Sequence, residues 1–162
     1  SRRSVSPKVI GNSIERLALT LDSARRDFDL VVIDTPPHSD KNALGAITIA
    51  DLVLMPIRPA IFDLRAIKET IEIVEMAKKK GRAVVVLNAV PTHKVIGDEA
   101  EEAARQYGVD VAPVRLTERA AFAHALTPGH GITEYDPKSK AATEILALRS
   151  FVASRLNIKA KR

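Results

Sequence analysis

Short, nearly all-apolar runs alternate along this 162-residue chain with segments whose apolar residues recur every three or four positions. The apolar runs cover residues 29–34, 52–57, 83–88 and, more weakly, 111–114. A short run without polar alternation is typical of a strand that is buried on both faces. Because such strands alternate with helical patterns, the sequence predicts an α/β fold in which helices flank a parallel sheet.

The helical patterns are predicted to begin and end at recognisable capping residues. Helices are expected at about 12–26, 42–49, 64–80, 98–108 and 117–126, and a last one whose first turn contains Asp136-Pro137. Asp63 is the predicted N-cap of the long third helix, whose lysine-rich end suits the negative end of a helix dipole. Asp98 and Glu101 have the spacing of a capping box at the start of the fourth helix.

Composition excludes several classes of protein. The chain has no cysteine, which rules out disulfides and thiolate metal sites and fits a reducing cytoplasm. It has only six aromatic residues, two Tyr and four Phe, too few for a base-stacking platform. No apolar run approaches the roughly 18 residues of a membrane helix, so no membrane span is expected. The length suits one compact unit, and we expect a single α/β domain over residues 1–162.

The net charge of +5 comes from the two ends of the chain. Residues 1–12 and 153–162 together hold seven cations and no acid, which leaves 18 cations against 20 acids between them. We therefore expect basic tails over residues 1–11 and 157–162 attached to a nearly neutral body. Such tails can hold nucleic acid in a salt-dependent way, but solubility and fraying chain ends are the favoured explanation for the tails alone.

Two polar residues end predicted strands, where the chemistry of parallel α/β sheets is usually located. Asp34 ends the first strand and precedes Thr35-Pro36-Pro37, so its carboxylate could hold a magnesium ion in a crevice, or could simply form a turn. Asn88 ends the third strand, and its amide suits the edge of a purine base or the entry to a turn.

Three further polar residues follow the fourth predicted strand. Arg115, Thr117 and Arg119 could meet a nucleotide, a phosphate backbone or solvent. Arg58, Arg82, Lys138 and Lys140 are candidates for one shared basic face.

Other chemistries lack their signatures. The four histidines, His38, His93, His124 and His130, do not have metal-site spacing. Ser39 and Ser139 lie in no nucleophile elbow, which argues against acyl transfer.

Taken in order, these segments resemble the ParA family of partition ATPases, with the MinD-type ATPases as relatives. Residues 28–38, which contain Asp34-Thr35-Pro36-Pro37, look like the Walker B strand and second switch of that family. Residues 50–56 resemble its next strand and residues 85–88 its base-recognition strand. Residues 114–118 and 131–142 resemble its carboxyl-terminal signature, and the match runs from about residue 28 to 150.

The resemblance implies a P-loop NTPase-like fold of the ParA/MinD type that binds ATP with Mg²⁺. It places Asp34 on the magnesium side, through water, and Thr35 near the terminal phosphate as the catalytic candidates. It places Asn88 against adenine, with Pro113 and Thr117 walling the base. Basic residues expected to contact DNA are Arg115, Arg119, Lys138 and Lys140.

The resemblance also implies partners and a location. It suggests a nucleotide-dependent homodimer that binds DNA without sequence preference, in the cytoplasm and associated with the nucleoid. A DNA-binding protein of the ParB type is the expected stimulator of hydrolysis, and plasmid or chromosome partition is the expected process.

The glycine-rich P-loop of the family is missing from the sequence, in which no Gly-Lys-Ser or Gly-Lys-Thr occurs. We expect the chain to be part of a longer protein whose preceding segment supplies that loop. In this fold the P-loop strand lies between the strand ending at Asp34 and the strand ending at Ile57, so its absence predicts a gap in the sheet.

Two alternatives stay open at this point. One is a ParA-like module that naturally lacks the P-loop and only binds DNA or a partner, without ATPase activity. The other is a receiver-type signalling domain with Asp34 as the phosphate acceptor, although the expected acidic pair and later lysine are missing.

Overall fold

The computed structural model describes residues 8–11, 13–36, 40–59, 61–92 and 94–158. The predicted tails therefore lie mostly outside the described residues, as do Pro37, His38, Ser39 and His93. No helix in the described part is both long and apolar enough to cross a membrane. The elements, in chain order, are α1 (Ile14–Asp27), α2 (Asp40–Ile49), β1 (Val53–Ile57), α3 (Ile61–Met76), a 3-10 turn (Lys80–Arg82), β2 (Ala83–Leu87), α4 (Lys94–Gln106), β3 (Asp110–Val111), α5 (Ala120–Leu126), α6 (Ile132–Tyr135) and α7 (Lys140–Arg155).

The three strands found in the described residues form a parallel sheet in the order β1-β2-β3. All five residues of β2 are buried, which confirms the prediction that this apolar run is covered on both faces. β3 contains only two residues, but the Ala112 N–H donates to the Val85 carbonyl at 2.8 Å and the Leu116 N–H to the Leu87 carbonyl at 2.9 Å. The chain after β3 therefore follows β2 to its carboxyl end.

Helices cover this sheet on both faces. Val85 and Leu87 of β2 belong to a core that includes Ile71 of α3 and Ala104 of α4. Val84 and Val86 point to the opposite face, where Leu148 and Phe151 of α7 pack. This three-layer arrangement confirms the predicted α/β class. A third apolar cluster joins α5, α6 and α7 through Ala125, Ile132 and Ala141.

The predicted strand at residues 29–34 is wrong. Residues 29–36 form no regular element, and Leu30 and Val32 are 51% and 82% exposed. The physical reason is the missing neighbour, since a strand needs another strand to satisfy its N–H and C=O groups. Among the residues that the structure describes, β1 pairs only with β2, so its second edge is open to them and no described strand pairs with residues 29–34.

Two capping predictions are also wrong, because both helices begin earlier than their patterns indicate. α3 begins at Ile61, which places Asp63 inside the helix, and α4 begins at Lys94, which places Asp98 inside it. α3 ends at Met76 instead of residue 80, and Lys78 then adopts a left-handed conformation with φ of 55°. The prediction that Asp136-Pro137 lies in the first turn of α7 is wrong as well, because the N-cap is Ser139, whose hydroxyl accepts a hydrogen bond from the Ala142 N–H at 3.1 Å.

Candidate functional site

A deep groove lies where a further strand of the sheet would run. Its volume is about 940 Å³, and it extends along the open edge of β1 from Asp51 to Arg58. The groove walls are mainly apolar, and they come from α1, residues 28–33, α2 with the residues that lead into β1, β1 itself, α3, and the end of α7 with Ile158. The groove therefore continues the sheet layer between the same helices that cover β1 and β2.

Thr35 and Asp34 stand at one end of this groove. Thr35 lines it together with Ile57 and Arg58, which mark the carboxyl end of β1. Asp34 is exposed and directly precedes Thr35. Because both residues follow the apolar segment that lines the groove, we expect them at the rim formed by the carboxyl ends of the strands.

Asn88 lies at the same rim, one strand further along. Its N–H donates to the Ile57 carbonyl at 2.7 Å, which holds it beside the end of β1. Its Oδ1 accepts a hydrogen bond from the Ala89 N–H at 3.0 Å, and Ala89 has a φ of 50°. A left-handed alanine is uncommon and is strained, so the turn after β2 is held by its surroundings.

The loop after β3 completes this rim. It is tied to the turn after β2, because the Val90 N–H donates to the Leu116 carbonyl at 3.0 Å and the Glu118 N–H to the Val90 carbonyl at 2.9 Å. A small pocket of about 200 Å³ lies between them, lined by Val90, Pro91, Thr92, Arg115, Thr117 and Arg119. Pro113 is exposed earlier in the same loop and does not line the pocket.

Arg115 is held by two carboxylates of α4. Its Nη1 donates to Asp98 Oδ1 at 2.7 Å, and its Nε and Nη2 both donate to Glu101 Oε2. Gly97 makes room for it, because a Cβ at that position would lie 2.9 Å from Arg115 Nη1. Hydrogen bonds from Arg105 and then Arg115 lower the pKa of the Glu101 carboxyl below its usual value.

Thr117 and Arg119 are held from the opposite side, by Glu144 of α7. Glu144 accepts hydrogen bonds from the Thr117 N–H at 2.9 Å, the Thr117 hydroxyl at 2.9 Å and Arg119 Nη2 at 2.8 Å. Burial raises the pKa of Glu144, but the hydrogen bonds from Arg119 and Thr117 outweigh burial and lower it overall. Arg119 Nε is buried and has no hydrogen-bond partner among the described residues.

The remaining predicted basic residues divide between two ends of the sheet. Lys138 and Lys140 are exposed and make no ion pair with any described residue. They precede or begin α7, whose Glu144 reaches the rim, so both lie towards the carboxyl ends of the strands. Arg58 follows β1, whereas Arg82 precedes β2 and lies at the opposite end of parallel strands, about 17 Å away. The prediction of one basic face that contains both arginines is therefore wrong.

The resemblance implies a bound nucleotide with Mg²⁺, so we compare the oxygen atoms at the rim with the ligands that Mg²⁺ requires. Among the described residues no group of three or more His, Asp or Glu side chains is arranged to hold a metal. Asp34 offers one carboxylate and Thr35 one hydroxyl, and Mg²⁺ is usually held by one or two carboxylates together with phosphate oxygens and water. These residues fit a magnesium ion that arrives with a nucleotide, and they do not form an all-protein magnesium site.

Three residues of the rim escaped sequence reasoning. Asp98 and Glu101 were interpreted as a helix start, although their charge could have suggested a partner for Arg115. No sequence pattern indicates that Glu144 contacts Thr117 or Arg119, because it lies 27 residues from Thr117 and 25 from Arg119. No periodicity or short motif links positions so far apart.

Comparison with known proteins agrees with this geometry. The family described as "AAA domain" matches residues 8–87, close to half of the chain. The maintenance of carboxysome distribution protein A of Halothiobacillus neapolitanus is 28% identical over 128 residues, which are 76% of this chain and 59% of that protein. The sporulation initiation inhibitor protein Soj of Bacillus subtilis is 24% identical, and the match covers 86% of this chain and 57% of Soj.

A solved structure supports the fold. The cell division ATPase MinD of Pyrococcus furiosus superposes with a TM-score of 0.69 at 24% identity, over 88% of this chain and 59% of the MinD chain. The chain thus spans less than two thirds of the length of each of these relatives. Its fold is that of P-loop NTPases. The family match, the relatives and the shared fold together support a relationship of this chain to the ParA/MinD-type ATPases.

Proposed function

We propose that this chain is the part of a partition or positioning ATPase that follows the P-loop, and that it supplies one wall of the nucleotide site. The observation that supports this most directly is the groove beside β1, which lies in the sheet layer and is lined in part by Thr35. The groove extends along all five residues of β1, which is the length that a pairing strand would need. The apolar walls suit a strand that is buried on both faces.

The occupant we propose is the P-loop strand, supplied by a segment of the protein that precedes this chain. It would pair with the open edge of β1 and with residues 29–34, which would then become a strand as their apolar pattern predicts. The P-loop that ends this strand would emerge at the rim between Thr35 and Asn88. Its backbone N–H groups and lysine are the phosphate donors that this chain lacks.

The residues at the rim take complementary roles in this proposal. Asp34 orients the magnesium side through water, and Thr35 lies near the terminal phosphate. Bound Mg²⁺ would neutralise charge on the phosphates. Asn88 presents its amide to the base, and Thr117 walls the base from the far side, with Pro113 in the same loop.

The relatives suggest partners for this chain, which we state here as proposals. Relatives are named for carboxysome distribution, for inhibition of sporulation initiation and, in MinD, for cell division, so the cargo differs between members. For this chain we propose a nucleotide-dependent homodimer, DNA contact through Lys138 and Lys140 with Arg115 and Arg119 nearby, and a DNA-binding partner of the ParB type. Because Lys138 and Lys140 are free of ion pairs among the described residues, they are the cations most available to phosphate.

The test is ATP hydrolysis by the complete protein that contains this chain. Asp34→Ala is expected to reduce the hydrolysis rate about a hundredfold, because it removes the carboxylate on the magnesium side. Asp27→Ala, which removes an exposed carboxylate from the end of α1, is the matched control and should leave the rate unchanged. Unchanged turnover in Asp34→Ala would remove Asp34 from this role, and a complete wild-type protein that binds no ATP would contradict the function.

A further inference from the structure

The loop after β3 leaves the sheet at Thr117, and its backbone then needs a new partner. Its neighbours on both sides are bound to Val90, through the Leu116 carbonyl and the Glu118 N–H. The Thr117 N–H lies between these bonds and donates instead to Glu144 Oε2, while its hydroxyl donates to Oε1. One side chain from α7 therefore satisfies both donors of a half-buried residue.

Arg119 is oriented by the same carboxylate. Its Nη2 donates to Glu144 Oε1, and the two side chains are only 27% and 17% exposed, so solvent competes little for this ion pair. The buried Nε of Arg119 has no partner among the described residues. Because buried N–H groups are rarely left unpaired, a group with a hydrogen-bond acceptor is expected beside it.

A small pocket lies at the rim beside these residues. Arg119 and Thr117 line it together with Val90, Pro91 and Thr92. Glu144 itself does not line the pocket, but it binds two of the four polar residues that do, Thr117 and Arg119. Its effect on any occupant is therefore indirect and acts through the positions of Thr117 and Arg119.

We propose that Glu144 is a positioning residue, which holds Thr117 and Arg119 so that the small pocket is formed before its ligand binds. The inference rests on the proposed nucleotide site and adds that the base end of the nucleotide is received in this pocket. If Thr117 and Arg119 are already ordered, they do not have to be immobilised when the ligand binds. Losing this order should therefore weaken binding of the nucleotide, whereas the reaction at the phosphates, at the other end of the nucleotide, should keep its rate.

The experiment compares KM and kcat for MgATP in the complete protein and in three variants. Glu144→Gln keeps the shape of the side chain but removes its charge, and it should raise KM about tenfold with kcat within about twofold of wild type. Glu118→Gln removes an exposed carboxylate from the same loop and should change neither constant. Thr117→Val removes only the hydroxyl and should also raise KM.

The double variant separates positioning from a general loss of stability. If Glu144 acts through Thr117, combining Glu144→Gln with Thr117→Val should raise KM little beyond the larger single effect, about tenfold and not a hundredfold. Multiplied effects, or a lower melting temperature with an unchanged KM, would overturn the proposal. Thr117→Val supplies the KM comparison alone if Glu144→Gln does not fold.

Hydrogen exchange at the Thr117 amide tests the positioning role of Glu144 without relying on nucleotide binding. If the wild-type protein binds no MgATP, the proposed function fails, and the exchange rates then decide the positioning claim. Faster exchange at Thr117 in Glu144→Gln than in wild type or Glu118→Gln would support it, since Glu144 accepts that N–H. Equal exchange in all three proteins would overturn it.

Discussion

Glu101 and Glu144 hold the loop after β3 from two different helices, and both have a lowered pKa. A carboxyl whose pKa is lower in the folded than in the unfolded protein stabilises the fold above its unfolded value, which is about 4.5. This stabilisation is lost as the pH falls through the folded pKa. Acid should therefore loosen the rim by releasing Arg115 from α4 and Arg119 from α7.

Glu101→Gln tests this at neutral and acidic pH. The variant should lower the free energy of unfolding by about 1 kcal/mol at pH 7, because Arg115 and Arg105 lose their shared anion. The difference in the free energy of unfolding between the variant and wild type should shrink below pH 4.5. There the wild-type carboxyl becomes protonated, first in the unfolded chain and at lower pH in the folded protein. Urea unfolding across pH measures it.

The control for this pH experiment is Glu102→Gln on the same helix. Glu102 is exposed and makes no ion pair with a described residue, so its variant should follow the wild-type curve. A difference between Glu101→Gln and wild type that stays constant down to pH 3 would contradict the linkage argument.

At the scale of elements, α7 connects the two ends of the sheet. Its first turns reach the rim through Glu144, and its last turn reaches the start of β3, where Arg155 Nη1 donates to Asp110 at 2.7 Å. The helix thus runs antiparallel to the strands, as in β-α units generally. This direction places Lys138 and Lys140 on the side of the proposed nucleotide site.

The lysines at the start of α7 give a prediction for DNA binding. With MgATP present, the double variant Lys138→Ala and Lys140→Ala of the complete protein should bind DNA more weakly. The slope of log affinity against log salt should fall by about 2, because each phosphate contact contributes about 0.9. Fluorescence anisotropy over a range of salt concentrations measures it.

Arg149→Ala is the control on the same helix. Arg149 is exposed and lies nine residues after Lys140, about 14 Å along the axis. Its variant should bind DNA nearly as wild type does. Wild-type affinity and slope in the double lysine variant would remove these residues from the proposed contact.

At the scale of the whole molecule, the dominant feature is apolar surface along an unpaired strand edge. β1 has one open edge, and residues 28–32 expose large apolar side chains on the opposite side of the groove. Such an edge is a template for pairing with another chain. The 162-residue chain by itself is therefore expected to self-associate as its concentration rises.

A single charge in the groove should reduce this association. Val32→Lys places an ammonium group on the apolar wall and should shift the sedimentation profile of the 162-residue chain towards monomer. Leu19→Lys, at a site on α1 that is 74% exposed and outside the groove, should not. A wild-type chain that stays monomeric at high concentration would contradict the expectation.

The sequence alone was sufficient to predict the helices and strands whose packing partners lie within the chain. The apolar runs at 52–57 and 83–88 form β1 and β2, because each finds a neighbouring strand and covering helices. The helices α1, α2 and α5 lie close to their predicted ranges. The motifs at Asp34 and Asn88 also led to the ParA/MinD-type ATPases, to which the comparisons show similarity.

Tertiary structure decided the features that depend on distant partners. Residues 29–34 have the composition of a strand but no strand to pair with, since hydrogen bonding in a sheet is a property of two segments and not of one. Asp98 and Glu144 became partners of arginines 17 and 25 residues away, a choice that depends on how helices pack against the loop. Local patterns determined which segments are apolar or helical, whereas contacts across the fold determined how the polar residues of the rim are held.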